Sequence, residues 1–113
     1  MNAFTTPYQA ISDGTRRRIL DLLREESLTA GAIAHRFHKI SRPAVSKHLA
    51  ILRRSKLVVT KKQGRERRYT LNAAPLRDVA GWLRQYEAFW DEQLQAFKDY
   101  VESESAREEK NES

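Results

Sequence analysis

The stretch SRPAVSKHLAILRRSKLVVTKKQGRERRYTL, which spans residues 41–71, decides the fold of this chain. Its first part predicts a helix over 41–54, because Ser41 is a good N-cap and a proline in the first turn removes no intrahelical hydrogen bond. Apolar residues at the i, i+4 and i+7 positions form its inner stripe: Val45, Leu49 and Leu52. The outer face of this helix is left polar and basic.

Its second part, residues 57–71, predicts a β-hairpin. The segment 57–60 is short and rich in β-branched residues, residues 68–71 alternate polar with apolar, and Gly64 supplies a turn glycine between them. Lys and Arg occupy five of the eight positions 61–68. A basic hairpin directly after a polar-faced helix is the arrangement that places a wing beside a DNA-reading helix.

Further helices precede this stretch. A short helix over 7–11 begins on a proline. Ser12 and Asp13 are N-cap types for the next helix, which should run to about Arg24, and Thr29 can cap a third helix. Two helices joined by a tight turn and followed by a basic hairpin describe a winged helix-turn-helix, which is a mainly α fold with a β-hairpin wing (α+β).

A long helix follows the hairpin, from Pro75 to about residue 101, or roughly 40 Å at 1.5 Å per residue. Residues 102–113 are almost all charged or small, so we expect this tail to fray or to be disordered. The expected organisation is one winged-helix domain over 1–101, which includes a dimerisation helix over about 75–101, and a charged tail over 102–113.

The chain has 113 residues and a net charge of +6, which is unevenly distributed. Residues 1–72 carry 16 Lys or Arg against 5 Asp or Glu, whereas residues 73–113 carry 5 against 10. The two balances, +11 and −5, predict a polyanion-facing region followed by a region with another task. The alternative is that both regions are ordinary solvated surface and that the difference in their charge arose by drift.

Double-stranded DNA is the partner that the basic part predicts. Helix N-terminal residues reach base edges in the major groove, so we expect Arg42 to contact guanine, Ser46 to permit close approach and Lys47 to bind phosphate. The expected DNA-binding residues are Ser41, Arg42, Ser46, Lys47, His48, Arg53, Lys62, Arg65 and Arg67. The alternatives are a solvated helix face and a hairpin edge blunted by charge. A third basic cluster, residues 16–18, lies where the helix macrodipole disfavours cations, so an external anion is a candidate partner for it.

The long C-terminal helix predicts a homodimer. Aromatic and aliphatic residues recur along it at three- and four-residue steps and cover more surface than a small core can use. The expected interface residues are Leu76, Val79, Leu83, Tyr86, Trp90, Leu94 and Phe97. A palindromic DNA site read by two helices about 34 Å apart also requires two copies. The alternative is that this helix only closes the core of its own domain.

Several classes of protein are excluded. The absence of cysteine removes disulfides, thiolate catalysis and thiolate metal sites. His35 and His38 are three apart, but no carboxylate cluster completes a set of ligands, so no metal and no cofactor are expected. No catalytic constellation is present, so we expect no enzyme. No apolar run approaches the roughly 20 residues of a membrane span and no secretory signal is recognisable, so we expect a cytoplasmic protein without membrane insertion.

Two strings of this sequence resemble the ArsR-type winged-helix repressors. Residues 12–20, SDGTRRRIL, are similar to a helix opening of that family, and residues 41–49, SRPAVSKHL, are similar to its recognition helix. The resemblance implies a homodimer, built on terminal helices, that binds operator DNA and represses transcription, often of its own operon. It also implies a glycine at the end of the recognition helix, where this chain has Lys56, so a different helix exit is expected.

The resemblance does not extend to the metal sensors of this family. Those sensors carry a cysteine pair near the recognition helix, or His and Asp ligands on the last helix. This chain has no cysteine and no histidine after His48, and is therefore closer to the metal-free branch, whose members often accompany a START-like domain protein or are controlled by a partner protein.

Two other functions stay open from the sequence. One is a protein-interaction module that uses the winged helix as a scaffold, and the other is an effector-responsive sensor that uses the dimer interface. Salt-sensitive binding to the DNA upstream of the gene argues against the first. A shift in the emission of Trp82 and Trp90 on addition of a true effector supports the second.

Overall fold

A three-stranded antiparallel sheet and the helices packed against it form the N-terminal part of the chain. The computed structural model describes the backbone of residues 5–112 and the side chains of residues 5–104, 106 and 107. The chain divides into two compact units, residues 1–79 and residues 80–113. We refer to them as the N-terminal unit and the C-terminal unit.

The order of elements along the chain is that of a winged helix-turn-helix. The elements are α1 (Pro7–Ala10), α2 (Gly14–Glu25), β1 (Leu28–Thr29), α3 (Ala30–His35), α4 (Arg42–Arg54), β2 (Val58–Gln63), β3 (Glu66–Leu71), α5 (Leu76–Arg84) and α6 (Glu87–Glu112). Helices α3 and α4 form the helix-turn-helix pair, and strands β2 and β3 form the wing. The predicted fold class, mainly α with a β-hairpin wing, is confirmed.

Three side chains begin the helices of the N-terminal unit where the sequence predicts them. The Asp13 carboxylate accepts a hydrogen bond from the Arg16 amide at 3.0 Å, at the start of α2. The Thr29 hydroxyl accepts from the Ala32 amide at 3.2 Å. The Ser41 hydroxyl accepts from the Ala44 amide, also at 3.2 Å, and starts α4. Each bond satisfies an amide that has no partner within the helix.

The core of the N-terminal unit lies between its helices and the sheet. Its largest fully buried side chains are aliphatic: Ile19, Ile33, Leu49, Leu52, Leu57, Val45 and Val58. The stripe predicted for α4 is therefore buried as expected. One polar residue, Ser55, is buried with this core, and its hydroxyl donates to the Leu52 carbonyl at 2.9 Å.

The sheet contains one strand that the sequence pattern does not predict. Strand β1 has two residues and pairs with β3, which gives the strand order β1-β3-β2. Leu28 lies opposite Tyr69 and Thr29 lies opposite Arg68. Two residues are too few to show an alternating pattern, so only the pairing itself identifies this strand.

The exit of α4 corrects the expectation of a different geometry at Lys56. Lys56 itself takes the left-handed conformation, with a φ of 65°. Its amide donates to the Arg53 carbonyl at 3.0 Å, and the Leu57 amide donates to the Leu52 carbonyl at 3.1 Å. These are the two bonds of a Schellman motif, which usually has glycine at the left-handed position. The chain keeps the usual exit and accepts the strain of a side chain there.

The long C-terminal helix is divided in two, in contrast to the single helix expected over 75–101. The amides of Gln85 and Tyr86 donate to carbonyls three residues back, at 3.3 and 2.9 Å, which interrupts the i to i−4 ladder between α5 and α6. The second helix then continues to Glu112 rather than ending near 101. An ion pair at 3.6 Å between Glu104 and Arg107 lies within this extension. No helix in the described part of the chain is both long and apolar enough to span a membrane.

Candidate nucleic-acid interface

The outer face of α4 presents the basic and small polar side chains that the sequence predicts for it. Because Val45, Leu49 and Leu52 turn into the core, the opposite side of the helix faces outward. Exposed on that side are Ser41, Arg42, Ser46, Lys47, Arg53 and Arg54. A shallow concavity lined by Ala50, Arg53 and Arg54 lies towards the C-terminal end of the helix. This face can offer a bidentate guanidinium, short hydroxyls and an ammonium group to a polyanion.

The position of Arg42 depends on a glycine in α3 that no sequence pattern singles out. A Cβ atom on Gly31 would lie 3.1 Å from Arg42 Nη2. The missing side chain therefore leaves room for the guanidinium group at the start of the recognition helix. An alanine at this position would require the Arg42 side chain to move by a few tenths of an ångström.

The wing consists of two strands joined by a two-residue turn. Gly64 occupies the first turn position with a φ of 65°, which is the requirement of a type II′ turn. Arg65 follows at the tip, and Lys62 lies directly opposite Arg67 in the strand register. All three of these cationic side chains are exposed, and none of them forms an ion pair with a described residue.

His48 is the one expected DNA-binding residue that is turned inward. Its side chain is 21% exposed, and its Nδ1 lies 3.4 Å from Arg16 Nη1 and 3.9 Å from a carboxylate oxygen of Asp13. The His48 ring is therefore half-buried rather than exposed on the outer face of α4. The contacts place its ring against the start of α2, where it links the recognition helix to the rest of the unit.

Two arginines of the cluster at 16–18 have partners within the protein, which corrects the expectation of an external anion. Arg16 donates to the carbonyls of Ala10, at 2.7 Å, and Gln9, at 3.1 Å. Arg17 donates to the Ile11 carbonyl at 2.7 Å. These carbonyls lie at the C-terminal end of α1, where cations are favoured, and the Gln9 carbonyl also accepts from the Ser12 amide at 3.2 Å.

The Asp13 carboxylate is held in its charged form. The hydrogen bond from the Arg16 backbone amide is the largest cause and lowers the pKa of Asp13 below its ordinary value of 3.8. Partial burial opposes this shift, whereas the Coulombic interactions of Asp13 with His48 and with Arg16 add to it. The carboxylate thus serves both as the cap of α2 and as a counter-charge beside Arg16.

The other two histidines lie away from this face. The rings of His35 and His38 meet edge to face, with 6.0 Å between their centroids. Within the part of the chain that the structure describes, no group of three or more His, Cys, Asp or Glu side chains is placed to hold a metal ion.

The residues expected at a dimer interface fall into two groups. Leu76 packs against the core of the N-terminal unit, and Val79 is 8% exposed, so both are covered within their own chain. The other five, all at or beyond the start of the C-terminal unit, are exposed: Leu83, Tyr86, Trp90, Leu94 and Phe97. Tyr86 contacts Trp82 edge to face, with ring centroids 5.4 Å apart, and stacks on Trp90 at 6.4 Å.

An exposed basic recognition helix followed by a basic wing defines a DNA-binding protein of the winged helix-turn-helix class. Known proteins agree with this class. The family described as "Helix-turn-helix domain" matches residues 11–61. The chain is 43% identical over 76 residues to the transcriptional repressor SdpR of Bacillus subtilis, across 67% of this chain and 83% of that protein. It is 35% identical over 107 residues to the HTH-type transcriptional regulator Rv2034 of Mycobacterium tuberculosis, across 92% of this chain and 96% of that protein.

A solved structure supports the same assignment. The ArsR-like transcriptional regulator from Rhodococcus sp. RHA1 superposes with a TM-score of 0.62 at 39% identity, and the match covers 82% of this chain and 87% of that one. The chain belongs to the ArsR family of winged helix-turn-helix proteins, and it is a DNA-binding transcriptional regulator.

Proposed function

We propose that this protein is a homodimeric repressor that binds an operator in front of its own or a neighbouring operon. The observation that carries the proposal is the row of exposed cationic and hydroxyl side chains on the outer face of α4, which continues into the exposed cations of the wing. The name of its relative SdpR, a transcriptional repressor, supports the direction of regulation. The protein acts in the cytoplasm, where the operator is, and it acts by binding rather than by catalysis.

In this proposal the recognition helix reads bases and the wing holds the backbone. Arg42 makes two parallel hydrogen bonds to a guanine, and Ser46 allows the helix to approach the groove closely. Ser41 and Lys47 contact phosphates beside it, and so does Arg53. His48 contributes through its contacts with α2, which fix the helix, more than through a contact with DNA.

The wing supplies contacts to DNA that do not depend on the base sequence. Lys62 and Arg67 face one phosphate strand, and Arg65 at the tip reaches into the minor groove, where the negative potential is deepest. Each neutralised phosphate releases counterions, so every such contact adds about 0.9 to the slope of log K against log salt.

The second copy is proposed from the exposed apolar side chains of the C-terminal unit. Within α6, Trp90 is 43% exposed, Leu94 is 65% exposed and Phe97 is 68% exposed. Apolar residues at these spacings on one helix are costly in water and are typical of a helix that packs against a partner. Two copies related by a two-fold axis present two recognition helices to a palindromic site.

Fluorescence anisotropy with a labelled duplex taken from upstream of the gene tests the proposal. We expect salt-sensitive binding that prefers this duplex over scrambled DNA by at least about 1,000-fold. Arg42→Ala should reduce this preference by about 10- to 100-fold, because one bidentate base contact is lost. Arg24→Ala is the matched control, since Arg24 is an exposed arginine on α2 with only a surface ion pair to Glu25.

The wing is tested in the same titrations at several salt concentrations. Arg65→Ala should weaken binding to all sequences alike and lower the salt slope by about one unit. An unaltered salt slope contradicts the role proposed for the wing. Binding with no sequence preference contradicts the role proposed for α4.

A further inference from the structure

The wing carries positive charge on both faces, and the proposed function uses only one of them. Side chains alternate along a strand, and directly opposed residues share a face. Lys62 and Arg67 share the face that also carries buried Val58. Lys61 and Arg68 share the other face, which we call the outer face of the wing. The outer face therefore holds a cationic pair that has no assigned ligand.

An open cavity of about 370 Å³ lies on this outer face. Its lining comes from β2, β3 and the residue before β1: Ser27, Lys61, Lys62, Gln63, Arg68 and Thr70. This volume falls within the roughly 300–1,000 Å³ of small-molecule sites. All six lining residues are polar or cationic, so an anionic or strongly polar ligand matches them best.

The positive charge of the outer face exceeds the negative charge beside it. Like charges directly opposite each other on two strands destabilise the pair. Lys61 forms no ion pair with any described residue. Arg68 lies 3.6 Å from a carboxylate oxygen of Glu66, which is itself 59% exposed. Lys61 and Arg68 thus share one carboxylate, which leaves an excess of one positive charge for an external anion.

The geometry beside these cations is fixed rather than loose. Arg68 Nη1 donates to the Ser27 carbonyl at 3.1 Å, which holds the guanidinium group against the turn before β1. The Ser27 and Thr70 hydroxyls lie 2.9 Å apart. One of them donates to the other, so one hydroxyl hydrogen stays available to an acceptor in the cavity. The cavity thus combines a held guanidinium, an ammonium group and a hydroxyl donor, the groups that bind phosphate oxygens.

We propose that the outer-face cavity binds a phosphate group, supplied either by the DNA backbone or by a small free oxyanion. The first source rests on the proposed function. A wing that enters a minor groove about 6 Å wide has a phosphate strand on each side, so its two cationic faces meet the two strands. If the phosphate comes from the second source, the site binds a free oxyanion while the wing is not bound to DNA.

The first arm of the test uses inorganic pyrophosphate and the full chain without DNA. Titration is followed by amide NMR, against sodium chloride of equal ionic strength. We expect shifts at Ser27 and Thr70, with binding weakened about fivefold in Lys61→Gln and in Ser27→Ala. Lys61 has no described contact to lose, so its variant keeps the fold. Arg65→Gln is the matched control, because it removes one wing charge that lies outside the cavity lining.

The second arm measures the salt slope of operator binding for the same variants. If the DNA backbone supplies the phosphate, Lys61→Gln lowers the slope by about 0.9 and pyrophosphate competes with the operator. If a free oxyanion is the ligand, the slope is unchanged and the first arm alone responds. The proposal is overturned if neither arm responds to Lys61→Gln, or if Arg65→Gln weakens pyrophosphate binding equally. A chain that binds no operator at all removes the proposed function, yet the first arm still tests the cavity.

Discussion

The two units of this chain differ in whether their large apolar side chains are buried or exposed. The N-terminal unit buries its large aliphatic side chains almost completely, for example Ile19 and Leu52 at 0% exposure, and leaves charges outside. The C-terminal unit leaves its large side chains outside, with Leu94 and Phe97 both about two-thirds exposed. A closed core that carries a charged face fits a ligand-binding unit, whereas exposed apolar helices fit a unit that awaits a partner chain.

The sign of the charge follows the same division. The basic excess lies in residues 1–72 and the acidic excess in residues 73–113. Cations on a closed unit attract a polyanion, and carboxylates on the second unit keep that polyanion away from the apolar surface. The exposed charge and the exposed apolar surface therefore indicate two different partners for one small chain.

The largest expected effect comes from placing a charge in the apolar surface of α6. Leu94→Lys should abolish the proposed dimer and weaken operator binding at least about 100-fold, because two copies each lose about 1.5–3 kcal/mol of burial. Gln95→Lys is the matched control, since it adds the same group one position along, where the side chain bonds only to Asp99. Analytical ultracentrifugation measures the first effect. A Leu94→Lys protein that stays dimeric contradicts the assignment of the exposed apolar surface of the C-terminal unit to a partner chain.

A second prediction tests whether all cations of the N-terminal unit serve a ligand. Arg16→Ala should lower the free energy of unfolding by about 2 kcal/mol, because the part-buried Ala10 carbonyl loses the charged donor that it has in the wild type. Arg18→Ala, next to it and exposed, should change stability by less than about 0.5 kcal/mol. Urea unfolding gives both values. Equal stability of the two variants shows that the Arg16 contacts contribute little.

A third prediction concerns the pH dependence of the cap at Asp13. The folded pKa of Asp13 lies below its unfolded value, so its stabilisation is complete above pH 3.8 and is lost as the pH falls through the lowered pKa. Asp13→Ala should cost about 1 kcal/mol at pH 7, and this difference from the wild type should shrink at lower pH. Asp13→Asn, which keeps an acceptor oxygen, should cost less at pH 7. A difference that persists unchanged to pH 2 contradicts the charged cap.

The smallest expected effect has the opposite sign. Lys56→Gly should raise the free energy of unfolding by up to about 1 kcal/mol, because glycine tolerates the left-handed conformation at the end of α4. Gly64→Ala provides the comparison at the second left-handed position, where the same argument predicts a loss of about 1 kcal/mol. Thermal unfolding measures both. Destabilisation by Lys56→Gly shows that the lysine side chain contributes more than its backbone strain costs.

The local features of this fold follow from short-range sequence signals. The caps Asp13, Thr29 and Ser41, the inner stripe of α4 and the turn glycine Gly64 all lie where their own neighbours in sequence require them. Such signals act within a few residues, through helical or strand periodicity and through amides that need an acceptor. The exposed face of α4 follows too, since it is the complement of the buried stripe.

The division of the C-terminal helix is a feature that these short-range signals do not predict. No proline or glycine stands at residues 85 and 86, and both have ordinary helical propensity, so periodicity carries straight through them. The structure interrupts the ladder there with two i to i−3 bonds, flanked by the ring contacts of Tyr86 with Trp82 and Trp90. Local propensity of less than about 1 kcal/mol per residue is too weak to predict such a break.

Short-range sequence signals therefore specify the fold class, the helix caps, the basic face of α4 and the uneven distribution of charge along this protein. Which polar groups form hydrogen bonds within the chain depends on its tertiary structure. Arg16 meets His48 across 32 residues, and Ser27 meets Thr70 across 43 residues. Two arginines of the 16–18 cluster are taken up by carbonyls six or seven residues earlier in the chain, whereas Lys61 is left facing an open cavity. A charge is free for a ligand only if no internal partner reaches it, and these partners lie outside the three- and four-residue repeats that a sequence pattern shows.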